Sequence, residues 1–300
     1  MTRGAIYRFS IAAFSLWAIA ANVPAILDAA SSPSGSAPPV IKDILYPGAA
    51  KGDRRRSFDL YLPAKLNGKP PLLIFVHGGF WLLSDDNYRI GSSIAENLRQ
   101  DGVAVVLARY RLAPANRHPA QAQDVAAAVA ALAKSADKYG YDPKRIYLAG
   151  HSAGGHLASL VALERNYLTR HGLRAESLAG VISMSGLYDL TPTWNVSENQ
   201  RSAVEKTFGN DPAILKEASP IHHVRAAAPP FLLLNASSDF TGFALDARRF
   251  ADALRAAGNK NVDQITVKDA DHFTIVKLDD ANHPVRRSVV SFMRAKGGER

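Results

Sequence analysis

Ile146-Tyr147-Leu148-Ala149-Gly150-His151-Ser152-Ala153-Gly154-Gly155 is the stretch on which the fold turns. An apolar run enters it, Gly150-His151-Ser152-Ala153-Gly154 fits G-x-S-x-G, and residues 153–163 leave it as a helical pattern. Strand, tight turn and helix are the setting in which this motif lifts a serine hydroxyl clear of the backbone. Glycines flank the serine because a β-carbon at those positions would collide with the neighbouring strand and helix. The first turn of the helix also directs free N–H groups and a partial positive charge at the serine. A serine acting only as a helix cap would need neither flanking glycine nor Gly155.

Outward from the motif, short continuous apolar runs recur at residues 72–76, 103–108, 181–184 and 231–234. Runs of that length suit strands buried on both faces, as in a parallel sheet. Residues 57–62 alternate apolar and polar, which predicts a half-exposed strand. Between the runs lie helical patterns. Residues 120–139 are Ala-rich, with Val125, Val129 and Leu132 at helical spacing. Residues 246–257 form another such pattern, stopped by Gly258. The alternation implies an α/β architecture with right-handed crossovers. Residues 191–220 break the rhythm with Pro192, Trp194, Gly209, Pro212 and Pro220. They read as an irregular cap segment over the substrate, or as a surface excursion.

The run 72–76 leads directly into His77-Gly78-Gly79-Phe80-Trp81. Glycines just past a strand end let a loop curl over a nucleophile. The N–H groups of Gly78, Gly79 and Ala153 are therefore candidates for an oxyanion hole, where losing one donor typically costs about 2.7–4 kcal/mol of barrier. His77 reads as a brace for that loop. Phe80, Trp81 and Trp194 are candidates for the substrate pocket, although packing beneath the loop is the favoured reading of Trp81.

A serine nucleophile needs a general base, and the base needs a carboxylate to fix its tautomer. Asp239 lies in the loop after the run 231–234, and His272 lies in the loop after a strand pattern at 265–267. The order Ser152, Asp239, His272 is the one expected of this sheet arrangement. Among rivals, Asp246 belongs to the following helix and should point away. Asp269 and Asp271 share the loop of His272 and read as surface groups. His283 fits a late turn, His222 and His223 adjoin the cap segment within reach of substrate, and His151 packs or hydrogen-bonds inside the elbow.

His77-Gly78-Gly79-Phe80-Trp81, Tyr110-Arg111-Leu112-Ala113-Pro114 and Gly150-His151-Ser152-Ala153-Gly154-Gly155 together resemble the α/β-hydrolase esterases of the carboxylesterase and hormone-sensitive-lipase type. Ser219-Pro220, Pro229-Pro230-Phe231 and Asp239 are similar to the same families. The form His-Gly-Gly-x-Trp also resembles kynurenine formamidases and related feruloyl-esterase-like bacterial enzymes. The likeness covers roughly residues 40–295. One departure is Phe80, which stands where the hormone-sensitive-lipase type has a third glycine; it draws the comparison toward the formamidase-like branch. The resemblance implies an α/β-hydrolase fold: a mostly parallel central sheet, helices on both faces and a small cap. It also implies a structural role for the Tyr-Arg-Leu-Ala-Pro run, with Arg111 as a brace.

The expected activity is hydrolysis of small carboxylic esters through Ser152, His272 and Asp239, without metal or organic cofactor. An amidase or formamidase using the same residues is the alternative. A non-catalytic binding protein on a hydrolase scaffold is the reading from another class. The net charge is +9, but Lys and Arg are scattered with no aromatic-basic stripe, so nucleic acid is not the expected partner. There is no cysteine, which excludes disulfides, cysteine metal sites and a cysteine nucleophile.

The N-terminus differs from the rest. Arg3 and Arg8 precede an apolar run at 9–21, and Ala18-Ile19-Ala20 offers a small-x-small cleavage site. Residues 1–30 read as a signal peptide or membrane anchor, and 31–39 as a Ser/Pro/Gly linker. Residues 40–300 form the hydrolase domain. The protein is thus expected to be exported, periplasmic or secreted, or held at a membrane.

Overall fold

The structure is a computed structural model that describes residues 39–63, 68–83, 85–191 and 197–295. The signal or anchor and linker readings of residues 1–39, and Trp194, fall on residues outside these apart from residue 39. Among the described residues no helix is long and apolar enough to cross a membrane.

One eight-stranded sheet organises the chain. Its strands are β1 (Val40–Leu45), β2 (Ser57–Tyr61), β3 (Leu72–Val76), β4 (Ala104–Ala108), β5 (Ile146–His151), β6 (Gly180–Met184), β7 (Phe231–Ser238) and β8 (Val262–Asp271). Their order across the sheet is β1-β2-β4-β3-β5-β6-β7-β8. The β1–β2 and β2–β4 pairings are antiparallel, and every pairing from β4 to β8 is parallel. The helices are α1 (Asp85–Leu98), α2 (Ala120–Lys134), α3 (Ala136–Tyr139), α4 (Ala153–Leu163), α5 (Arg165–Thr169), α6 (Glu198–Phe208), α7 (Pro212–Glu217), α8 (Phe243–Ala256) and α9 (Pro284–Ala295).

Alternate residues of the central strands feed two separate cores. Leu72, Ile74, Val76, Leu148, Val181 and Leu233 share one cluster with residues of α2, α4 and α8. Leu73, Phe75, Tyr147, Ala149, Ile182 and Leu234 share the other with residues of α1 and α9. Side chains alternate faces along a strand, so a strand covered on both sides must be apolar throughout. That is why β3 and β4 read as unbroken apolar runs, and β5 and β6 as nearly so, with the buried Ser183 of β6 accepting the Tyr188 hydroxyl. Every residue of α4 is buried, which accounts for a helix with no polar face.

The structure revises three readings. Strand β2 is buried along its whole length rather than half exposed. Its Asp59 tolerates burial because both carboxylate oxygens accept hydrogen bonds from Arg109 at 3.2 Å, and Oδ1 also accepts the Asp43 N–H at 2.8 Å. The helical pattern at 120–139 is broken into α2 and α3 at Ser135. The cap segment, read as irregular, contains α6 and α7. Ser197 and Gln200 form a reciprocal capping box at the start of α6. Asp211 caps α7 with Pro212 in its first turn. The Arg111 brace is built as expected: Nε and Nη2 meet Asp124 at 2.8 and 2.9 Å.

Candidate active site

Because β3, β5, β6, β7 and β8 run parallel, their C-terminal ends open at one edge of the sheet. The residues just beyond those ends are His77, Ser152, Ser185, Asp239 and His272. Groups far apart in the chain thus arrive at one rim, the usual location of ligand sites in open α/β sheets.

Ser152 sits at φ 54°, ψ −121° between β5 and α4, a backbone state costly for any residue with a β-carbon. The turn closes only because its neighbours are glycines. A β-carbon on Gly150 would lie 2.2 Å from the Gly154 carbonyl oxygen, and one on Gly154 would lie 2.0 Å from that of Val76. Ser152 N–H is held by the Met184 carbonyl at 2.9 Å.

His272 Nε2 is 3.0 Å from Ser152 Oγ, and its Nδ1 is 2.7 Å from Asp239 Oδ1. The carboxylate fixes the tautomer: Nδ1–H donates to Asp239, leaving Nε2 to accept the serine proton. Asp239 is itself tightly held. Its Oδ1 accepts the Phe240 N–H at 2.9 Å, and its Oδ2 accepts the Ser185 hydroxyl and the Ala236 N–H. Burial alone would raise its pKa. Hydrogen bonds from His272 and Ser185, then the charge of His272, outweigh burial and hold the carboxyl below its ordinary range. The carboxylate therefore stays ionised. A hydroxyl on an imidazole backed by a carboxylate is the arrangement that activates an alcohol as nucleophile.

The glycine loop lies against Ser152. A β-carbon on Gly78 would come within 3.2 Å of Ser152 Cβ. The loop carbonyls are engaged elsewhere: Gly78 O accepts from His77 Nδ1 at 2.8 Å, and Gly79 O accepts the N–H groups of Leu82 and Leu83. His77 stacks on Tyr110 at 4.4 Å between ring centroids, in keeping with a brace. Ala153 opens α4, so its N–H has no partner within the helix. Strain gathers here: Phe80, Trp81, Ser152 and Ser185 all have φ between 47° and 60°.

Trp81 is not a pocket residue. It is 1% exposed, because its indole N–H donates to His156 Nδ1 at 3.2 Å and its ring packs edge-on against Phe208 of α6. Phe80 is half-buried on the loop. Asp246 lies on α8, away from His272, and accepts the Tyr188 N–H at 2.7 Å. Asp271 pins its own turn through the N–H groups of Phe273 and Thr274. His223 donates to the Glu217 carbonyl within the cap. A cavity of about 530 Å³ lies between the β6 exit and α6, lined by Leu187, Leu190, Gln200, Val204 and Leu215 among others; the Ser152–His272–Asp239 group is not among its lining residues.

Two supporting residues, Ser185 and His156, escape a reading of the sequence, while the hydrogen bond expected of His151 reaches the loop of His272. Ser185 is the first residue after β6, which is the only clue to it. His151 donates from Nε2 to the His272 carbonyl at 2.8 Å, tying the elbow to the loop of His272. His156 accepts from Trp81 and donates from Nε2 to the Ala218 carbonyl at 2.8 Å, joining the glycine loop to the cap. Burial, with the His272 charge behind it for His151, pushes each imidazole down to about 3.

These shifts set an acid sensitivity. Between about pH 4 and 6.5, unfolding lets both histidines take up protons that the folded state refuses. Asp246, pushed up to about 7 by burial, acts in the opposite sense, since it is protonated when folded and ionised when unfolded. His222, which burial also holds below its ordinary value, adds to the uptake, so two buried imidazoles against one carboxyl set a lower bound of about one proton. Stability should therefore fall by at least roughly 1.4 kcal/mol per pH unit as pH drops through that window. Urea midpoints measured at several pH values check this, and Asp246→Asn should steepen the slope. A flat profile from pH 6.5 to 4 would contradict the assignment.

Strand order, the serine elbow between β5 and α4, and the loop carrying His272 after the last strand define an α/β-hydrolase. The chain belongs to the BD-FAE family, whose model matches residues 58–250. It is 32% identical over 231 residues to the esterase LipC of Mycobacterium tuberculosis, covering 73% of this chain and 57% of that protein. It is 31% identical over 248 residues to the kynurenine formamidase of Danio rerio, covering 81% and 78%. The chain spans 57%, 61% and 52% of LipC, of the M. tuberculosis esterase LipQ and of an Arabidopsis thaliana isoprenylcysteine alpha-carbonyl methylesterase. Among solved structures, a truncated carbohydrate esterase from gut microbiota superposes with a TM-score of 0.75 at 20% identity, covering 90% of this chain and all of that one. Esterase B from Lactobacillus rhamnosis gives 0.71 at 24% identity, with 88% of each chain covered. At these identities the structural likeness speaks for the fold.

Proposed function

We propose that the protein is a serine hydrolase that cleaves carboxylic esters of small substrates. The observation carrying this reading is the unbroken hydrogen-bonded chain from Asp239 through His272 to Ser152 beside the glycine loop. The esterases named among its relatives support it. His272 Nε2 takes the Ser152 proton as Oγ bonds to the ester carbonyl carbon. The N–H groups of Gly78, Gly79 and Ala153 receive the charge that develops on the carbonyl oxygen. The bond to the alcohol oxygen then breaks, and His272 gives that oxygen its proton. Water, deprotonated by the same imidazole, releases the acid and restores Ser152.

A formamidase is the second reading. It is favoured by the relative in Danio rerio, of which the chain covers 78%. The same side chains serve, and the leaving atom becomes nitrogen. The test is to label the intact protein with a fluorophosphonate, map the adduct, and compare kcat/KM on a short aryl ester and an N-formyl aromatic amine. Labelling at Ser152 with faster ester turnover supports the esterase; faster deformylation shifts the assignment to the second reading. No labelling and no turnover would leave a binding protein.

A further inference from the structure

We infer that Phe240 and Phe273 form the wall against which the leaving alcohol lies, and that the enzyme selects esters whose alcohol part is aromatic or bulky and apolar. This rests on the reading of Ser152 and His272 as nucleophile and base.

The argument begins with the proton. If His272 hands it to the leaving oxygen, that oxygen must come within about 2.6–3.2 Å of Nε2. Whatever flanks the imidazole therefore flanks the alcohol. Phe240 lies over the imidazole with centroids 4.2 Å apart and planes 29° from parallel. Phe273 meets the imidazole edge-on at 5.5 Å and Phe240 edge-on at 5.8 Å. Phe243 closes the inner side at 5.1 Å and is buried.

Phe273 is the anomaly in this cluster, being 62% exposed. A large apolar ring turned to solvent beside a general base is more than packing requires, since Phe240 and Phe243 already cover the imidazole. Nor is the ring on an unsupported loop. Asp271 Oδ1 accepts the N–H of Phe273 at 2.9 Å, the N–H of Thr274 at 2.7 Å and the hydroxyl of Thr274 at 2.9 Å. The turn is fixed, and it presents the ring. Phe240 and Phe273 stand nearly perpendicular to one another, with Phe273 open to a guest. Offset or edge-on contact of this kind favours another aromatic ring over an alkyl chain of like size.

The experiment compares benzyl acetate with methyl acetate, whose alcohols leave with similar ease, and methyl phenylacetate with methyl acetate as the acyl-side control. The wild-type protein is expected to prefer benzyl acetate. Phe273→Ala should lower the benzyl-to-methyl ratio of kcat/KM about 10-fold, while the acyl-side ratio stays within about 2-fold; Phe273→Tyr should keep the benzyl preference. Equal losses on all three esters, a change confined to methyl phenylacetate, or no benzyl preference in the wild type would overturn the inference. A wild-type protein that labels at Ser152 yet fails these comparisons refutes only this assignment. One that neither labels nor turns over any ester refutes the hydrolase reading beneath it.

Discussion

Ser152→Ala should lower kcat on a short p-nitrophenyl ester by a factor on the order of 10⁶, and His272→Ala by nearly as much. The double variant should be little worse than either alone, since the two groups move one proton and neither works without the other. Asp239→Asn tests the third member more subtly, with an expected loss of about 10⁴-fold. The side-chain amide would have to satisfy the Ser185 hydroxyl and the Ala236 N–H with its oxygen. That choice turns its NH₂ toward His272 Nδ1 and the Phe240 N–H, where the carboxylate accepts two hydrogen bonds. The imidazole would then carry its proton on Nε2 and be unable to take one from serine. Folding should be preserved in Ser152→Ala, so unchanged melting alongside lost turnover is the informative pattern. Turnover within 10-fold of wild type in that variant would end the case for Ser152 as nucleophile.

The second large effect is on stability. Gly154→Ala is expected to cost more than about 4 kcal/mol, seen as insoluble protein or a melting point lower by about 10 °C or more. The added carbon would lie 2.0 Å from the Val76 carbonyl oxygen and 2.6 Å from that of His77. Both are backbone atoms at the end of β3, in the middle of the sheet, and cannot move aside without parting β3 from α4. Gly48→Ala is the control, because Gly48 has φ +78° but nothing within 4 Å of the added carbon. Its cost should be only the left-handed backbone penalty, about 1–2 kcal/mol. Similar melting points for the two variants would mean that the crowding at Gly154 relaxes.

Much of this architecture is legible in the residues alone, for a physical reason. Strands buried on both faces have no polar register to blur them, so 72–76 and 181–184 stand out, and the loops after them are easily located. Asp239 and His272 follow from that location rather than from any local motif. Reading failed where tertiary contacts decide. Asp59 marks β2 as half exposed until Arg109 is seen across it. Trp81 packs beneath the loop, as its position after the glycines suggests, but its partners His156 and Phe208 are not legible in the residues. The cap reads as irregular because its prolines and glycines mask two helix starts, Ser197 with Gln200 and Asp211 with Pro212. Ser185 and His156 act through neighbours distant in the chain, and no spacing rule reaches them.

The order in which the strands lie has a temporal corollary. The imidazole hangs from β8, which lies at the sheet edge and follows β5 and β7 in the chain, and its partners hang from β5 and β7. A nascent chain can thus complete its serine turn while still lacking anything to deprotonate it. On the proposed mechanism, the base for Ser152 is in place only once β8 pairs with β7.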